Sequence, residues 1–337
     1  MTAGLLGCDR PLAEAYDVAL VDLDGVTYMG HKPIPHASES LTAAHDGGLR
    51  IVFVTNNASR SPATVADQLV ELGIPATPEG VMTASQAAAG LLATRLAPGA
   101  KVLVVGTDAL REAVTSEGFV VVDSADDHPD AVAQGYGPQV GWPQLAEAAY
   151  AVARGAWHVA SNLDKSLPTA RGFAPGNGAL VLAVQAATGV VPDSAGKPEP
   201  TLYRIAVERV GGTRPLVVGD RLDTDLAGAR AGGYPGLHVL TGVSTPRDDV
   251  LADPRYRPSF IGADLRALLE PHPLPQRADG WWTCGGAAAR VVDAQLDLDG
   301  RGGSGVDLLR AACAAAWEAA DEGRPVDAAH VPELHVA

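Results

Sequence analysis

Two aspartates separated by one residue follow the first apolar segment of the chain. Asp22 and Asp24 come directly after Val18–Val21, and Gly25 then lets the chain turn. Because alternate residues of a strand face the same side, both carboxylates can point at one position beyond the strand end. Two carboxylates that close either hold a cation or keep one proton, since neighbouring like charges resist joint ionisation. The pair indicates a metal site or acid–base chemistry, with an Asp-rich surface turn as the simpler alternative.

A second polar cluster follows the apolar segment Ile51–Val54. Thr55, Asn56 and Asn57 supply a hydroxyl and two amides just before a helical pattern begins at Pro62. Together with the free N–H groups of a helix N-terminus, these side chains could bind an anion. Ser59 or Ser61 could simply cap the helix instead.

A third polar cluster consists of carboxylates that follow a predicted strand, and a lysine precedes that strand in the sequence. Asp220, Asp223 and Asp225 follow an apolar segment and suit a hard cation that prefers oxygen ligands. A purely structural role at a helix N-terminus is the alternative. Lys197 precedes Pro198, which restrains the lysine backbone to an extended conformation. A single lysine is usually a solvated surface residue, so only the other clusters give it significance.

Strand-like and helix-like segments alternate along most of the chain. This alternation predicts an α/β fold with a doubly wound, mostly parallel Rossmann-like sheet. The predicted strands are Val18–Val21, Ile51–Val54, Lys101–Val105, Ala131–Gln134, Trp157–Ala160, Leu216–Val218 and Leu237–Leu240. The predicted helices include Pro62–Leu72, Trp142–Arg154, Gly178–Thr188, Pro200–Val210 and Thr224–Ala231. Ligands bind at the carboxyl edge of such sheets, where the polar clusters fall.

The positions of the clusters predict three domains. Residues 1–82 and 191–270 are expected to form the core, and residues 83–190 an α/β domain inserted into it. The Pro-rich segment Glu270–Gln276 is predicted to link the core to a small α+β extension, residues 277–337. That extension should contain two strands within Trp281–Leu298 and a helix over Gly305–Ala320.

Composition limits the partners and the compartment. A net charge of −15 argues against nucleic acid or an anionic membrane as the main partner, since both require basic patches. Three distant cysteines give neither a disulfide framework nor a zinc cluster. The N-terminus lacks the pattern of a signal peptide, and no apolar segment approaches the length of a membrane span. We expect a cytoplasmic protein, and the sequence leaves a homo-oligomer open.

The ordered motifs resemble those of the haloacid dehalogenase-like phosphatases. The Thr-Asn-Asn form of the second motif and the inserted domain look like the branch with a C2-type cap, which includes nitrophenylphosphatases and phosphoglycolate and glycerol-phosphate phosphatases. The motifs are Asp22-x-Asp24-Gly25, Thr55-Asn56-Asn57, Lys197 and Gly219-Asp220 followed by Asp225. The resemblance implies a Mg²⁺-dependent phosphomonoester hydrolase that forms an aspartyl-phosphate intermediate.

The resemblance also implies a role for each motif residue. Asp22 would be the nucleophile and Asp24 the general acid and base. Mg²⁺ would be bound by the Asp22 carboxylate, the Asp24 backbone carbonyl and Asp220, with Asp225 as a further ligand or as support for the ligands. The phosphoryl oxygens would be held by the polar residues of the second motif and by the lysine: Thr55, Asn56, Asn57 and Lys197.

Substrate choice is expected to depend on the cap. Asn162, Asp164 and Arg171 match the part of the family's cap that faces the active site, although the first two could instead only build a turn. Resemblance to the glycerol-phosphate phosphatase group makes glycerol 3-phosphate the expected substrate. Phosphoglycolate, pyridoxal phosphate and nucleotides are alternatives within the same chemistry, and a phosphomutase would carry the same motifs. A non-catalytic ligand-binding or regulatory protein is the alternative from a different class.

The C-terminal extension resembles a reduced acetyltransferase-like module. Its segment Arg301–Gly305 lies where such folds bind a pyrophosphate, but its spacing departs from the usual motif because Gly300 stands at the required first position. The extension is also too short for a complete acetyltransferase. A structural or oligomerisation role is the favoured expectation, and an acetyl-CoA-dependent function is the alternative.

Overall fold

The computed structural model describes residues 4–169, 171–300 and 302–336. In it, four of the predicted strands begin and end at the predicted residues. Runs of β-branched residues buried on both faces are typical of central parallel strands, which explains why these segments are easily recognised. The strands are β1 (Val18–Val21), β2 (Tyr28–Met29), β3 (Lys32–Pro33), β4 (Arg50–Thr55), β5 (Val81–Thr83), β6 (Lys101–Val105), β7 (Val120–Val122), β8 (Ala131–Gln134), β9 (Trp157–Ala160), β10 (Ser166–Thr169), β11 (Gly172–Pro175), β12 (Asp193–Ser194), β13 (Pro215–Gly219), β14 (Gly236–Val239), β15 (Phe260–Gly262), β16 (Gln276–Ala278), β17 (Trp281–Cys284), β18 (Ala287–Val292) and β19 (Gln295–Asp299).

The helices follow the strands in the order that an α/β fold requires. They are α1 (Leu12–Ala15), α2 (Ala37–Asp46), α3 (Pro62–Glu71), α4 (Ala84–Ala93), α5 (Asp108–Ser116), α6 (Trp142–Ala153), α7 (Asn177–Thr188), α8 (Thr201–Val210), α9 (Ala227–Gly232), α10 (Pro246–Val250) and α11 (Gly305–Asp321). The predicted helix Thr224–Ala231 is shorter, because a π-helical turn over Leu222–Leu226 precedes α9. Among the described residues, no helix has both the length and the apolar composition that crossing a membrane requires.

The chain divides into two units, and the first contains most of the parallel sheet. Its described residues fall within Met1–Phe53, Leu69–Pro75 and Val210–Ala337. Within this unit the strands run parallel in the order β15-β14-β13-β1-β4. The residues that follow β1, β13 and β14 therefore meet at one edge of the sheet. The predicted α/β fold with a mostly parallel sheet is confirmed.

The second unit has its own parallel sheet and core. Its described residues fall within Val54–Gln68 and Ala76–Arg209, and its strands run in the order β12-β9-β8-β6-β7. This unit extends beyond the predicted cap at both ends. One cause is the close packing of α4 on α8, where a Cβ on Gly90 would lie 2.7 Å from Ile205 Cδ1. The predicted domain bounds stay a prediction.

The C-terminal extension differs from its prediction in strand number. Within Trp281–Leu298 three strands begin instead of two, and β16 precedes them to complete an antiparallel sheet. The second turn was missed because Asp293 and Ala294, two non-glycine residues with φ of 49° and 60°, form it. The predicted linker is bonded to the N-terminal segment, since Cys8 and His272 exchange two backbone hydrogen bonds of 2.8 Å.

Helix α11 packs into a core that the extension shares with the parallel sheet. Trp317 and Cys313 of α11 are buried together with Leu226 and Ile261, which belong to the Rossmann-like part of the first unit. This shared core makes the extension a continuous part of the first unit.

The buried ring of His272 predicts acid sensitivity of the fold. Its Nε2 lies 2.8 Å from the Ala267 carbonyl and its Nδ1 3.1 Å from Arg310 Nη2, so Nε2 carries the proton and Nδ1 accepts. Burial, aided by the Arg310 charge, lowers the pKa of His272 from 6.5 to about 4. The folded protein thus holds the ring neutral while the unfolded chain protonates it. This contribution to stability is complete above pH 6.5 and is lost as the pH falls toward 4.

We expect His272→Gln to reduce the pH dependence of stability. The difference in unfolding free energy between about pH 7 and about pH 5 should shrink by about 2 kcal/mol, measured by urea denaturation at each pH. His335→Gln is the control, because the His335 side chain is 81% exposed. An unchanged pH dependence in His272→Gln would contradict a neutral buried ring.

Candidate active site

Three aspartates of the first unit bring their carboxylates to one place. Asp22 follows β1, while Asp220 and Asp225 follow the neighbouring strand β13. Each offers one oxygen, and these oxygens all lie within 4.8 Å of one another. Asp220 and Asp225 are 0% and 1% exposed, and buried carboxylates at this spacing are costly without a cation. The donor set, hard oxygens in a small space, fits Mg²⁺.

Glycines let the backbone approach these carboxylates closely. Gly25 has a φ of +90°, and a Cβ there would lie 2.5 Å from Asp220 Oδ2. A Cβ on Gly242 would overlap the same oxygen, and one on Gly219 would overlap the Asp225 side chain. The space around the carboxylates is therefore already filled by backbone, which limits how far they can move.

Backbone and side-chain donors fix the orientation of the buried carboxylates. Val243 N–H donates to Asp220 Oδ2 at 2.7 Å, and Arg221 N–H donates to Asp225 Oδ2 at 3.2 Å. His238 Nε2 lies 3.1 Å from the Asp220 backbone carbonyl. Burial opposes a charge on this ring, but the adjacent Asp249 carboxylate outweighs burial and raises the pKa of His238.

Sequence reasoning missed the residues that follow β14. Gly242, Val243 and His238 all contact Asp220, and none of them was predicted as part of the site. The signal was present, because the small and polar segment Thr241–Thr245 follows a strand as the other clusters do. The segment was not predicted as part of the site because it contains no carboxylate.

Asp24 occupies the turn after β1 and is exposed. The turn is closed by Gly25 N–H, which donates to the Tyr28 carbonyl at 2.7 Å. Gly30 N–H lies 3.4 Å from Asp24 Oδ1. Among the described residues, the Asp24 side chain is not one of the three converging carboxylates, and its backbone carbonyl as a metal ligand stays a prediction.

In the second unit, the Asn56 side chain both accepts a hydrogen bond from the Lys197 backbone and donates one to it. Lys197 N–H donates to Asn56 Oδ1 at 2.8 Å, and Asn56 Nδ2 donates to the Lys197 carbonyl at 3.2 Å. Lys197 is only 4% exposed. A Cβ on Gly196 would lie 2.5 Å from the Ser161 carbonyl, so glycine permits the close approach of this segment. The Asn56 amide thereby fixes the backbone of a buried lysine 141 residues away in the chain.

The rest of the second motif forms a local turn. Asn57 N–H donates to Thr55 Oγ1 at 3.1 Å, and Asn57 Oδ1 accepts from Ser59 N–H at 2.7 Å. Ser61 Oγ accepts from Thr64 N–H at 3.3 Å and so caps the start of α3, as the simpler alternative predicted for it. The Asn57 side chain thus serves the turn in this structure.

The three predicted cap residues fall into two groups. Asn162 Nδ2 donates to the Asn56 carbonyl at 2.8 Å, and Asp164 accepts from Asn56 Nδ2 at 3.2 Å. Asp164 N–H also donates to Asn162 Oδ1, so these residues build a turn beside the second motif. Arg171 lies apart from them, exposed at the tip of the β10–β11 hairpin.

Family models match three parts of the chain. Residues 19–120 match a model described as haloacid dehalogenase-like hydrolase, and residues 194–268 match one for HAD-hydrolase-like proteins. Residues 284–333 match a GCN5-related N-acetyltransferase like domain. The first two matches contain all the predicted catalytic motifs.

Similar proteins of known activity cover most of the chain. A D-glycerol 3-phosphate phosphatase of Mycobacterium tuberculosis is 48% identical over 92% of this chain and 88% of its own length. An acid sugar phosphatase of Staphylococcus aureus is 39% identical over 75% of this chain and 97% of its own. The crystal structure of a glycerol phosphate phosphatase from M. tuberculosis in complex with magnesium covers 94% of both chains, with a TM-score of 0.86 and 45% identity.

The described part of the extension does not fit the pyrophosphate of acetyl-CoA. At the N-terminus of α11, Ser304 Oγ accepts from Asp307 N–H at 3.2 Å, and the Asp307 carboxylate accepts from Ser304 in return. A Cβ on Gly305 would overlap the His335 carbonyl, so the C-terminal segment lies directly on the start of the helix. The Asp307 carboxylate, which also pairs with Arg310 at 3.1 Å, and the His335 carbonyl therefore occupy the place where backbone N–H groups would meet an anion. Arg301 of the predicted motif lies outside the described residues.

We expect Gly242→Ala to weaken Mg²⁺ binding by about 10-fold, because the new methyl group would displace the Asp220 carboxylate. The measurement is calorimetric titration of the substrate-free protein with MgCl₂. Gly4→Ala is the control, since nothing lies within 4 Å of a Cβ at Gly4. Equal Mg²⁺ affinity in the two variants would argue against Asp220 as a metal ligand.

Proposed function

The chain belongs to the haloacid dehalogenase-like hydrolases, and on that premise we propose that it is a Mg²⁺-dependent phosphomonoester hydrolase acting on glycerol 3-phosphate. The observation that carries the phosphatase proposal is the convergence of the Asp22, Asp220 and Asp225 carboxylates. The substrate proposal is supported by the high identity to the mycobacterial D-glycerol 3-phosphate phosphatase.

We assign the two steps of hydrolysis to the first aspartate pair. The Asp22 carboxylate attacks phosphorus, so that an Asp22 O–P bond forms while the bond to the glycerol oxygen breaks. Asp24 gives its proton to the leaving alkoxide and then removes one from the water that hydrolyses the aspartyl-phosphate. The exposed position of Asp24 beside the Asp22 strand end is compatible with this exchange of protons.

Binding of the phosphoryl oxygens is assigned to the second motif and the lysine. Thr55 supplies a hydroxyl and Lys197 an ammonium group, while Asn57 holds the turn after β4. Asn56 contributes by fixing Lys197, since its amide bonds the lysine backbone on both sides. Burial of the lysine makes its charge more effective toward a phosphate than a solvated lysine would be.

A cation is required because three carboxylates and a phosphate dianion would otherwise repel one another. We assign Mg²⁺ binding to Asp22, Asp220, Asp225 and the backbone carbonyl of Asp24. When bound, Mg²⁺ neutralises charge and acts as a Lewis acid toward the phosphoryl oxygens.

The proposal extends to substrate specificity, domain organisation and location. We assign substrate choice to Asn162 and Asp164, which build the turn beside the second motif, and to Arg171 at the tip of the β10–β11 hairpin. We also retain the division into a core of residues 1–82 and 191–270, a cap of residues 83–190 and an extension of residues 277–337. A cytoplasmic location stays a prediction from the sequence, and the sequence leaves a homo-oligomer open.

We expect Asp22→Asn to keep its fold and to lose turnover by at least about 1,000-fold, because an amide cannot attack phosphorus. The measurement is phosphate release at saturating Mg²⁺, with circular dichroism to verify folding. Asp46→Asn, at an exposed position at the end of α2, is the matched control. Appreciable turnover by purified Asp22→Asn would refute the nucleophile assignment.

A panel of phosphorylated metabolites tests the substrate. We expect glycerol 3-phosphate to give the highest kcat/KM among glycerol 3-phosphate, phosphoglycolate, pyridoxal phosphate and a nucleoside monophosphate. Activity should disappear on removal of Mg²⁺ by EDTA and return when MgCl₂ is added. A higher kcat/KM for another substrate would replace the substrate proposal, and no phosphate release from any of them would favour the non-catalytic alternative.

A further inference from the structure

A tryptophan of the C-terminal helix α11 contacts α10, the short helix that follows β14. Trp317 of α11 is 3% exposed, and its indole Nε1–H donates to the Asp249 backbone carbonyl at 2.9 Å. Asp249 belongs to α10, which packs on α11, and Val250 next to it joins the same buried cluster as Trp317. The extension thereby fixes the backbone position of Asp249.

The side chain of Asp249 continues this contact toward β13. Both of its carboxylate oxygens lie 2.9 Å from His238 Nδ1. On the other side of the ring, His238 Nε2 lies 3.1 Å from the Asp220 backbone carbonyl. A carbonyl oxygen only accepts, so Nε2 carries a proton and donates. The ring cannot turn over without losing both contacts.

The connection is buried along its whole length. His238, Asp249 and Asp220 are each 0% exposed. Away from water a broken hydrogen bond is not replaced, so each contact restrains the next one strongly. The last residue, Asp220, is held at its backbone by His238 and at its carboxylate by Val243 N–H.

We propose that Trp317, Asp249 and His238 are positioning residues through which the C-terminal extension holds Asp220 in the geometry that binds Mg²⁺. This inference rests on the proposed function in one respect, the assignment of Asp220 as a Mg²⁺ ligand. Groups that orient a metal ligand by hydrogen bonding commonly change metal affinity about 10- to 100-fold when they are removed. The extension would thus serve the active site without binding a ligand of its own.

A matched pair of tryptophan variants tests the contribution of the extension. Trp317→Phe removes the donor to Asp249 and keeps an aromatic ring beside Arg257. Trp282→Phe removes an equivalent donor on the same extension, since Trp282 Nε1 donates to Glu318 on α11 at 3.0 Å, but this bond leads away from Asp249. We expect Trp317→Phe to weaken Mg²⁺ binding about threefold or more in calorimetry of the substrate-free protein, and Trp282→Phe to leave it unchanged. Equal affinities in the two variants would overturn the proposal.

The kinetic signature should separate positioning from general damage. In Trp317→Phe we expect the apparent KM for Mg²⁺ to rise while kcat at saturating MgCl₂ stays near the wild-type value. A fall in kcat with an unchanged KM for Mg²⁺ would overturn the proposal.

Histidine variants provide a second test that does not depend on the folding of Trp317→Phe. His238→Gln keeps an N–H that can reach the Asp220 carbonyl, whereas His238→Met has a similar size and no donor. We expect Mg²⁺ affinity to fall about 10-fold in the Met variant and to recover largely in the Gln variant. Equal affinities for His238→Gln and His238→Met would count against the proposal.

Asp220→Asn distinguishes this inference from the proposed function. If Asp220→Asn binds Mg²⁺ as the wild type does, the metal site itself is misassigned and both proposals fail. If Asp220→Asn loses Mg²⁺ binding while the tryptophan pair and the histidine pair show no differences, the proposed function stands and only the positioning role fails.

Discussion

The central constraint on the first unit is that it must hold three carboxylates close together although they repel one another. Asp22, Asp220 and Asp225 converge because their strands are parallel neighbours, and parallel pairing brings both strand ends to one edge. Burial raises the cost of this arrangement by excluding water from two of the carboxylates. Backbone N–H donors and close glycines limit how far the carboxylates can separate, so a bound cation, or a proton kept by one of them, reduces the repulsion. The protein thus presents a set of oxygen ligands that suits Mg²⁺ before any substrate binds.

The second unit handles charge in a different way, by fixing a single cation with amides. The Asn56 side chain accepts from Lys197 N–H through Oδ1 and donates to the Lys197 carbonyl through Nδ2. The backbone carbonyl of Asn56 accepts in turn from Asn162 Nδ2. Neutral amides can satisfy buried backbone groups without adding charge of their own. The network thus fixes the backbone of Lys197 through neutral amide groups, and Asn56 Nδ2 also donates to the Asp164 carboxylate.

Sequence reasoning succeeded where local composition decides the structure. Valine-rich strands such as Lys101–Val105, and carboxylates directly after them such as Asp22 and Asp220, carry their information in a few adjacent residues. It failed where the outcome depends on contacts between distant parts of the chain. Nothing near His238 in the sequence shows that its ring lies between Asp249 and Asp220, and the turn at Asp293–Ala294 has no glycine to mark it. Which unit a segment joins is likewise decided by packing, as with Gly90 against Ile205.

The polar connection from α11 to β13 is unusual because it runs through an apolar core. Cys313 and Ile261, which surround this region, offer no alternative partners to a polar group that loses its own. An unsatisfied buried donor or acceptor costs about 1–3 kcal/mol, so the connection is stable only when every contact from Trp317 to Asp220 is made. Apolar contacts are non-directional and would transmit no orientation to the Asp220 backbone. A hydrogen-bonded chain is directional, and this property suits it to hold a metal ligand whose neighbours repel it.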